Sequence, residues 1–149
     1  MKRQGILNSE ISSVLSYMGH TDQICIGDCG LPIPEETKRI DLAVRFGCPS
    51  FLEVLEEVAK DMKIEKIILA EEIKEKNPQI EEAVKRLFGC FETGCETGFK
   101  AMPQEKDAVA VEYVPHTELK NRTKQCKAVI RTGETTPYAN IILQSGCIF

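Results

Sequence analysis

His20 and His116 are the only two histidines in this chain of 149 residues. Imidazole, with an ordinary pKa of ~6.5, is the side chain best suited to moving a proton near neutrality. Each histidine stands beside an apolar run. His20 belongs to the stretch Gly19-His20-Thr21-Asp22, directly ahead of Ile24-Cys25-Ile26. That run exits into Gly27-Asp28-Cys29-Gly30 and then a loop stiffened by Pro32 and Pro34. His116 follows the alternating run over 108–114, just before a possible helix start at Thr117. Pro137-Tyr138-Ala139-Asn140 opens the last strong apolar run. Tyrosine brings a flat face and a phenolic hydroxyl, and asparagine pairs a donor with an acceptor, which suits vicinal hydroxyls.

Every one of these residues also has a plain structural reading. The histidines could cap or pack, Asp28 could close an Asx turn, and Tyr138–Asn140 could simply turn into a strand. Glu71 and Glu72, which follow the run Ile64–Ala70, read as a helix start or as partners for a neighbouring backbone rather than as catalytic acids. No G-x-G-x-x-G, P-loop, G-x-S-x-G or H-E-x-x-H pattern occurs. What remains is a polar set of His, Asp, Tyr and Asn, suited to proton transfer on a neutral polyhydroxy ligand.

Composition narrows the field. A net charge of −4 offers no electrostatic footprint for nucleic acid. No apolar run approaches the ~20 residues of a membrane span. The start, Met1-Lys2-Arg3-Gln4-Gly5, leads into only two apolar residues, so no signal peptide is expected and the cytoplasm is the expected compartment. The seven cysteines are scattered and contain no C-x-x-C pair, so they read as reduced, partly buried thiols. Cys90 and Cys95, in a Gly-rich stretch, could pair or oxidise.

The elements that must position these groups follow from hydrophobic spacing. Ile11, Val14, Leu15 and Met18 give residues 8–18 one buried helical face, capped by Asn8 or Ser9 and ended by Gly19 in a left-handed turn. Gln23–Gly27 and Ile64–Ala70 read as core strands, and residues 38–44 as a short, half-exposed one. The clearest helix spans 50–62, with a capping box from Ser50 and Glu53 and an inner stripe of Phe51, Val54, Leu55 and Val58. Asn77 caps a further helix that has Pro78 in its first turn, with Ile80, Val84, Leu87 and Phe88 facing inward. Residues 89–107 break the rhythm and read as an exposed loop or hairpin. A strand over 108–114, a helix from Thr117 to about Lys124, and strands over 128–131 and 140–144 complete the chain. Helices alternating with buried strands predict a single α/β domain over 1–149, a three-layer α/β/α sandwich with a largely parallel, mixed central sheet. In such sheets ligands bind beyond the carboxyl ends of the strands.

Several stretches carry a resemblance along nearly the full length: L-N-S-E-I-S-S-V-L from Leu7, G-H-T-D from Gly19, G-L-P-I-P from Gly30 and R-I-D from Arg39. It continues with G-C-P-S-F from Gly47, A-E-E-I-K-E-K-N-P from Ala70 and R-T-G-E-T-T-P-Y-A-N-I-I-L from Arg131. In these the chain resembles the D-ribose pyranase family of ribose and fucose mutarotases, and G-L-P-I-P and P-Y-A-N look like its ribose branch. The resemblance implies interconversion of the β-pyranose and β-furanose forms of D-ribose, with no metal or cofactor. It implies His20 as proton donor and Asp28, His116, Tyr138 and Asn140 as sugar-binding residues. It also implies a ring-shaped homo-oligomer, typically a homodecamer, with sites shared between neighbouring subunits and the last strand donated across the interface. Residues 89–107 depart from the family pattern as a loop insertion. Two other readings keep the same residues: a non-catalytic sugar-binding protein, and an L-fucose mutarotase.

Overall fold

The computed structural model of the chain describes residues 1–89 and 108–149. The stretch expected to be a loop insertion therefore lies outside the described residues apart from Gly89, and so do Cys90 and Cys95. In chain order the elements are α1 (Ser9–Tyr17), β1 (Gln23–Gly27), β2 (Arg39–Asp41), α2 (Phe51–Asp61), β3 (Ile64–Ala70) and α3 (Ile73–Lys76). Then come α4 (Pro78–Phe88), β4 (Ala110–Val114), α5 (His116–Arg122), a 3₁₀ turn (Thr123–Gln125), β5 (Val129–Arg131) and β6 (Ile141–Ser145).

The six strands form one sheet in the order β2-β5-β1-β6-β3-β4. Five of them run the same way. β6 lies between β1 and β3 and is antiparallel to both, while β1–β5, β2–β5 and β3–β4 are parallel. The sheet is thus largely parallel but mixed, as expected. The inverted β6 has a direct consequence: its first residues stand at the same edge as the carboxyl ends of β1, β3, β4 and β5.

Both faces of the sheet are covered, which explains why the central strands read as unbroken apolar runs. On one face Ile24, Ile26, Ile67, Leu69, Ile130, Ile141 and Leu143 pack against α1, α2 and α4 through Ile11, Val14, Phe51, Leu55, Val84 and Phe88. On the other, Cys25, Ile68, Ala70, Val129 and Ile142 pack against Leu31, Leu119 and Cys126. Successive residues of a strand point to opposite faces, so each run supplies both layers. Five described cysteines are free thiols, two of them buried. Burial pushes the Cys25 thiol up, and that of Cys126 up to about 12.

Local chemistry sets the boundaries. Asn8 caps α1, its Oδ1 accepting from the backbone N–H groups of Glu10 and Ile11. The Ser50–Glu53 capping box of α2 is present as expected. β2 is shorter than expected because Asp41 turns the chain: its Oδ1 accepts from the N–H of Ala43 at 3.1 Å. Gly19 does not end α1 in a left-handed turn. Met18 caps the helix in an extended conformation, and the residue at positive φ is Thr21, at 68°. α5 begins at His116 rather than Thr117, because its cap comes from another element, the carboxylate of Glu72.

Candidate functional site at the carboxyl edge of the sheet

Asp28, His116, Tyr138 and Asn140 converge at the carboxyl edge from three connections, those after β1, after β4 and between β5 and β6. Gly27 ends β1 without a side chain, and a Cβ there would meet Asn140 Oδ1 at 2.8 Å and Leu31 Cδ2 at 2.6 Å. Glycine thus lets the Asn140 amide lie against the chain. Asn140, 1% exposed, uses that access twice. Its Oδ1 accepts from the backbone N–H of Asp28 at 3.0 Å, and its Nδ2 donates to Asp28 Oδ2 at 2.9 Å. The other carboxylate oxygen of Asp28 accepts from the N–H of Gly30 at 2.9 Å. Asp28 is therefore both an Asx-turn residue and an anchored anion, with lone pairs left on both oxygens.

His116 and Tyr138 form the second half. Their rings meet edge to face, with centroids 4.9 Å apart at 79°. The backbone N–H of His116 is held by both oxygens of Glu72, at 3.1 and 3.0 Å. Glu72 therefore serves a neighbouring backbone. Nδ1 of His116 is buried and has no hydrogen-bond partner. Burial lowers the pKa of this imidazole, and Lys120 adds to the effect; the nearby charges of Glu72 and Asp28 oppose it. The ring is thus biased toward the neutral form.

The turn that carries Tyr138 is braced from the start of α4. Tyr138 sits at φ 60°, a strained conformation for a non-glycine residue. Asn77 stands at the start of α4, but its side chain makes no cap. Instead its Nδ2 donates to Thr136 Oγ1 and to the Pro137 carbonyl, both at 2.9 Å. The Asn-Pro pair reads as a helix start in sequence, and nothing local reveals this second role. Glu134 gathers the N–H groups of Thr135 and Thr136 at 2.9 and 3.0 Å. Burial raises its carboxyl, and these bonds together with one from Phe51 outweigh that, leaving it below its ordinary range. Thr132 Oγ1 donates to the Gly27 carbonyl at 2.9 Å, joining the ends of β5 and β1.

His20 is not part of this group. It precedes β1 and so lies at the opposite, amino edge of the sheet, with β1 spanning about 15 Å between it and Asp28. There its Nε2 meets Glu65 Oε2 at 3.0 Å. One chain brings together four of the five expected site residues and leaves the fifth apart. Tyr138 and Asn140, expected to be donated across a subunit interface, instead join Asp28 and His116 of their own chain. Among the described residues no group of three or more His, Cys, Asp or Glu side chains could hold a metal ion. Nor, among them, is any helix long and apolar enough to cross a membrane.

The chain thus combines an α/β sandwich with an inverted central strand and a His–Asp–Tyr–Asn cluster at its carboxyl edge. The chain belongs to the RbsD / FucU transport protein family, whose model matches residues 1–148. The D-ribose pyranase of Bacillus cytotoxicus is 52% identical over 149 residues, covering the whole of both chains. That of Lactobacillus johnsonii is 48% identical, again over both whole chains. Among solved structures, Bacillus subtilis RbsD complexed with D-ribose superposes with a TM-score of 0.86 at 42% identity, covering all of both chains. The fucose mutarotase of Streptococcus pneumoniae, in complex with L-fucose, shares the fold with a TM-score of 0.72 at 22% identity, covering 96% of this chain and 95% of that one.

Proposed function

We propose that this chain is a D-ribose pyranase, interconverting the β-pyranose and β-furanose forms of D-ribose without a cofactor. One observation carries the reading: a buried, unpartnered His116 Nδ1 beside an anchored Asp28 whose oxygens keep free lone pairs. Buried polar atoms find partners, and a sugar hydroxyl supplies one. Asp28 accepts from hydroxyls, Asn140 and His116 exchange hydrogen bonds with them, and Tyr138 offers its ring and phenol. The names of the relatives and the ribose-bound neighbour at 42% identity support the sugar.

Ring exchange needs two proton movements. A proton reaches the ring oxygen O5 as the C1–O5 bond breaks, and the anomeric hydroxyl gives up its proton as C1 becomes the aldehyde. O4 then attacks C1, and the protons move the other way to close the furanose. His20 is the general acid for O5 in this reading, a role typically worth ~10²–10⁴-fold. Its distance from Asp28 in one chain supports a site in which His20 comes from a neighbouring copy. The assembly is a homo-oligomer of shared sites, a homodecamer by family resemblance, and its compartment is the cytoplasm.

Saturation-transfer NMR of D-ribose, with L-fucose alongside, tests this. Catalytic amounts of protein should speed pyranose–furanose exchange of ribose, and His20→Ala should abolish the effect while the fold persists. Ribose line broadening without faster exchange would instead mean a binding protein, and acceleration of fucose alone a fucose mutarotase.

A further inference from the structure

We infer that Glu65 is a positioning residue for His20, fixing which ring nitrogen faces the sugar. This rests on the reading of His20 as the general acid. Three neighbouring strands build the support at the amino edge. Gln23 Nε2, on β1, donates to Gln144 Oε1 on β6 at 3.0 Å. Gln144 Nε2 donates to Glu65 Oε1 on β3 at 2.7 Å. Glu65 Oε2 then meets His20 Nε2 at 3.0 Å. Gly146 closes in behind, where a Cβ would stand 3.0 Å from Glu65 Cβ and 3.3 Å from its Oε2.

Both carboxylate oxygens are thus engaged, one by an amide that is itself oriented. The bond from Gln144 holds the Glu65 carboxyl below its ordinary range; partial burial opposes this, and the bond with His20 adds to it. An anionic Glu65 accepts, so the first proton of His20 is held on Nε2. Nδ1 is left to carry the second proton of the imidazolium; it delivers that proton to the ring oxygen, leaving the neutral Nε2–H ring, and takes it back on closure. The His20 side chain is 54% exposed and that of Glu65 33%, and an ion pair so exposed contributes little to stability. What the Gln23–Gln144–Glu65 row supplies is orientation, as the carboxylate of a catalytic triad orients its imidazole.

The test compares Glu65→Ala, Glu65→Gln and His20→Ala in the assembled protein. Ribose exchange is measured against sugar concentration, and ¹⁵N spectra of His20 report the ring tautomer. Glu65→Ala should lower the saturated exchange rate about 10–100-fold and leave half-saturation unchanged. His20 should pass from the Nε2–H tautomer to a mixture. Glu65→Gln offers one acceptor where two donors, Gln144 Nε2 and His20 Nε2, converge, so its rate and tautomer should fall between those of the wild type and Glu65→Ala, and it stands in if the alanine variant does not fold. An unaltered tautomer with full activity, beside an inactive His20→Ala, overturns the inference alone. Full activity of His20→Ala overturns the underlying reading, and the tautomer then still decides whether Glu65 sets the ring.

Discussion

Replacing Asn140 by aspartate changes one atom group and should make stability steeply pH-dependent. The substitution keeps the Oδ1 acceptor for the Asp28 N–H at 3.0 Å but turns the donor facing Asp28 Oδ2 at 2.9 Å into a second oxygen. Asn140 is 1% exposed, so the new group cannot turn to water. Two anionic oxygens at that distance repel by about 6 kcal/mol at an effective dielectric of ~20. The cheaper course is to keep one proton between them, as closely paired carboxylates do. Holding a carboxyl protonated at pH 7, when its ordinary pKa is ~3.9, costs about 4 kcal/mol. Asn140→Asp should therefore destabilise the fold by about 4 kcal/mol at pH 7, shrinking by ~1.4 kcal/mol per pH unit toward pH 5. Urea unfolding of both proteins at matched protomer concentration, at pH 7 and pH 5, measures this. A gap under 1 kcal/mol, or one that does not change with pH, would refute the arrangement of Asn140 against Asp28.

Three further outcomes follow from the same edge. Asn77→Ala removes both bonds to the Thr136–Pro137 turn and should cost about 1–3 kcal/mol; it should also weaken ribose binding through Tyr138, and unchanged urea midpoint and affinity would count against the brace. His116 has a folded pKa below its ordinary value, chiefly through burial, so between that folded value and ~6.5 the unfolded chain binds the extra proton. Stability should be level above ~6.5 and fall as pH drops through this window, and His116→Asn should flatten the fall; an identical slope in the variant would remove His116 as its source. Glu134, held low by its hydrogen bonds against burial, adds a separate loss at more acidic pH, as its carboxylate protonates.

The sheet was legible because its strands are buried on both faces, and runs such as Ile24–Ile26 and Ile67–Ala70 have no other use in a chain this polar. The Ser50–Glu53 box was legible because it is local. The four residues that meet at the carboxyl edge were legible as types at the ends of apolar runs. What stayed hidden depends on contacts between distant segments. Asn77 looks like a cap until the Thr136–Pro137 turn comes beside it, and Glu65 looks like a solvated strand residue until Gln144 and His20 flank it. Gly19 invited a left-handed turn that Thr21 adopts instead, with its N–H donating to Ser145 O at 2.9 Å. The separation of His20 from Asp28 was available in principle, since a residue before a parallel strand and one after it lie at opposite edges. Their closeness in sequence concealed it.

The central claim, a ribose site completed by the His20 of another copy, is tested most directly by complementation. His20→Ala and His116→Ala chains would be co-assembled in equal amounts, and ribose exchange followed by saturation transfer below saturation. Each variant alone should be nearly inactive. If one copy supplies His20 and its neighbour the carboxyl-edge residues, random mixing restores intact sites in about a quarter of positions, and exchange should return to that level. Mixed oligomers, verified by native mass spectrometry, that show no recovery would contradict the shared site.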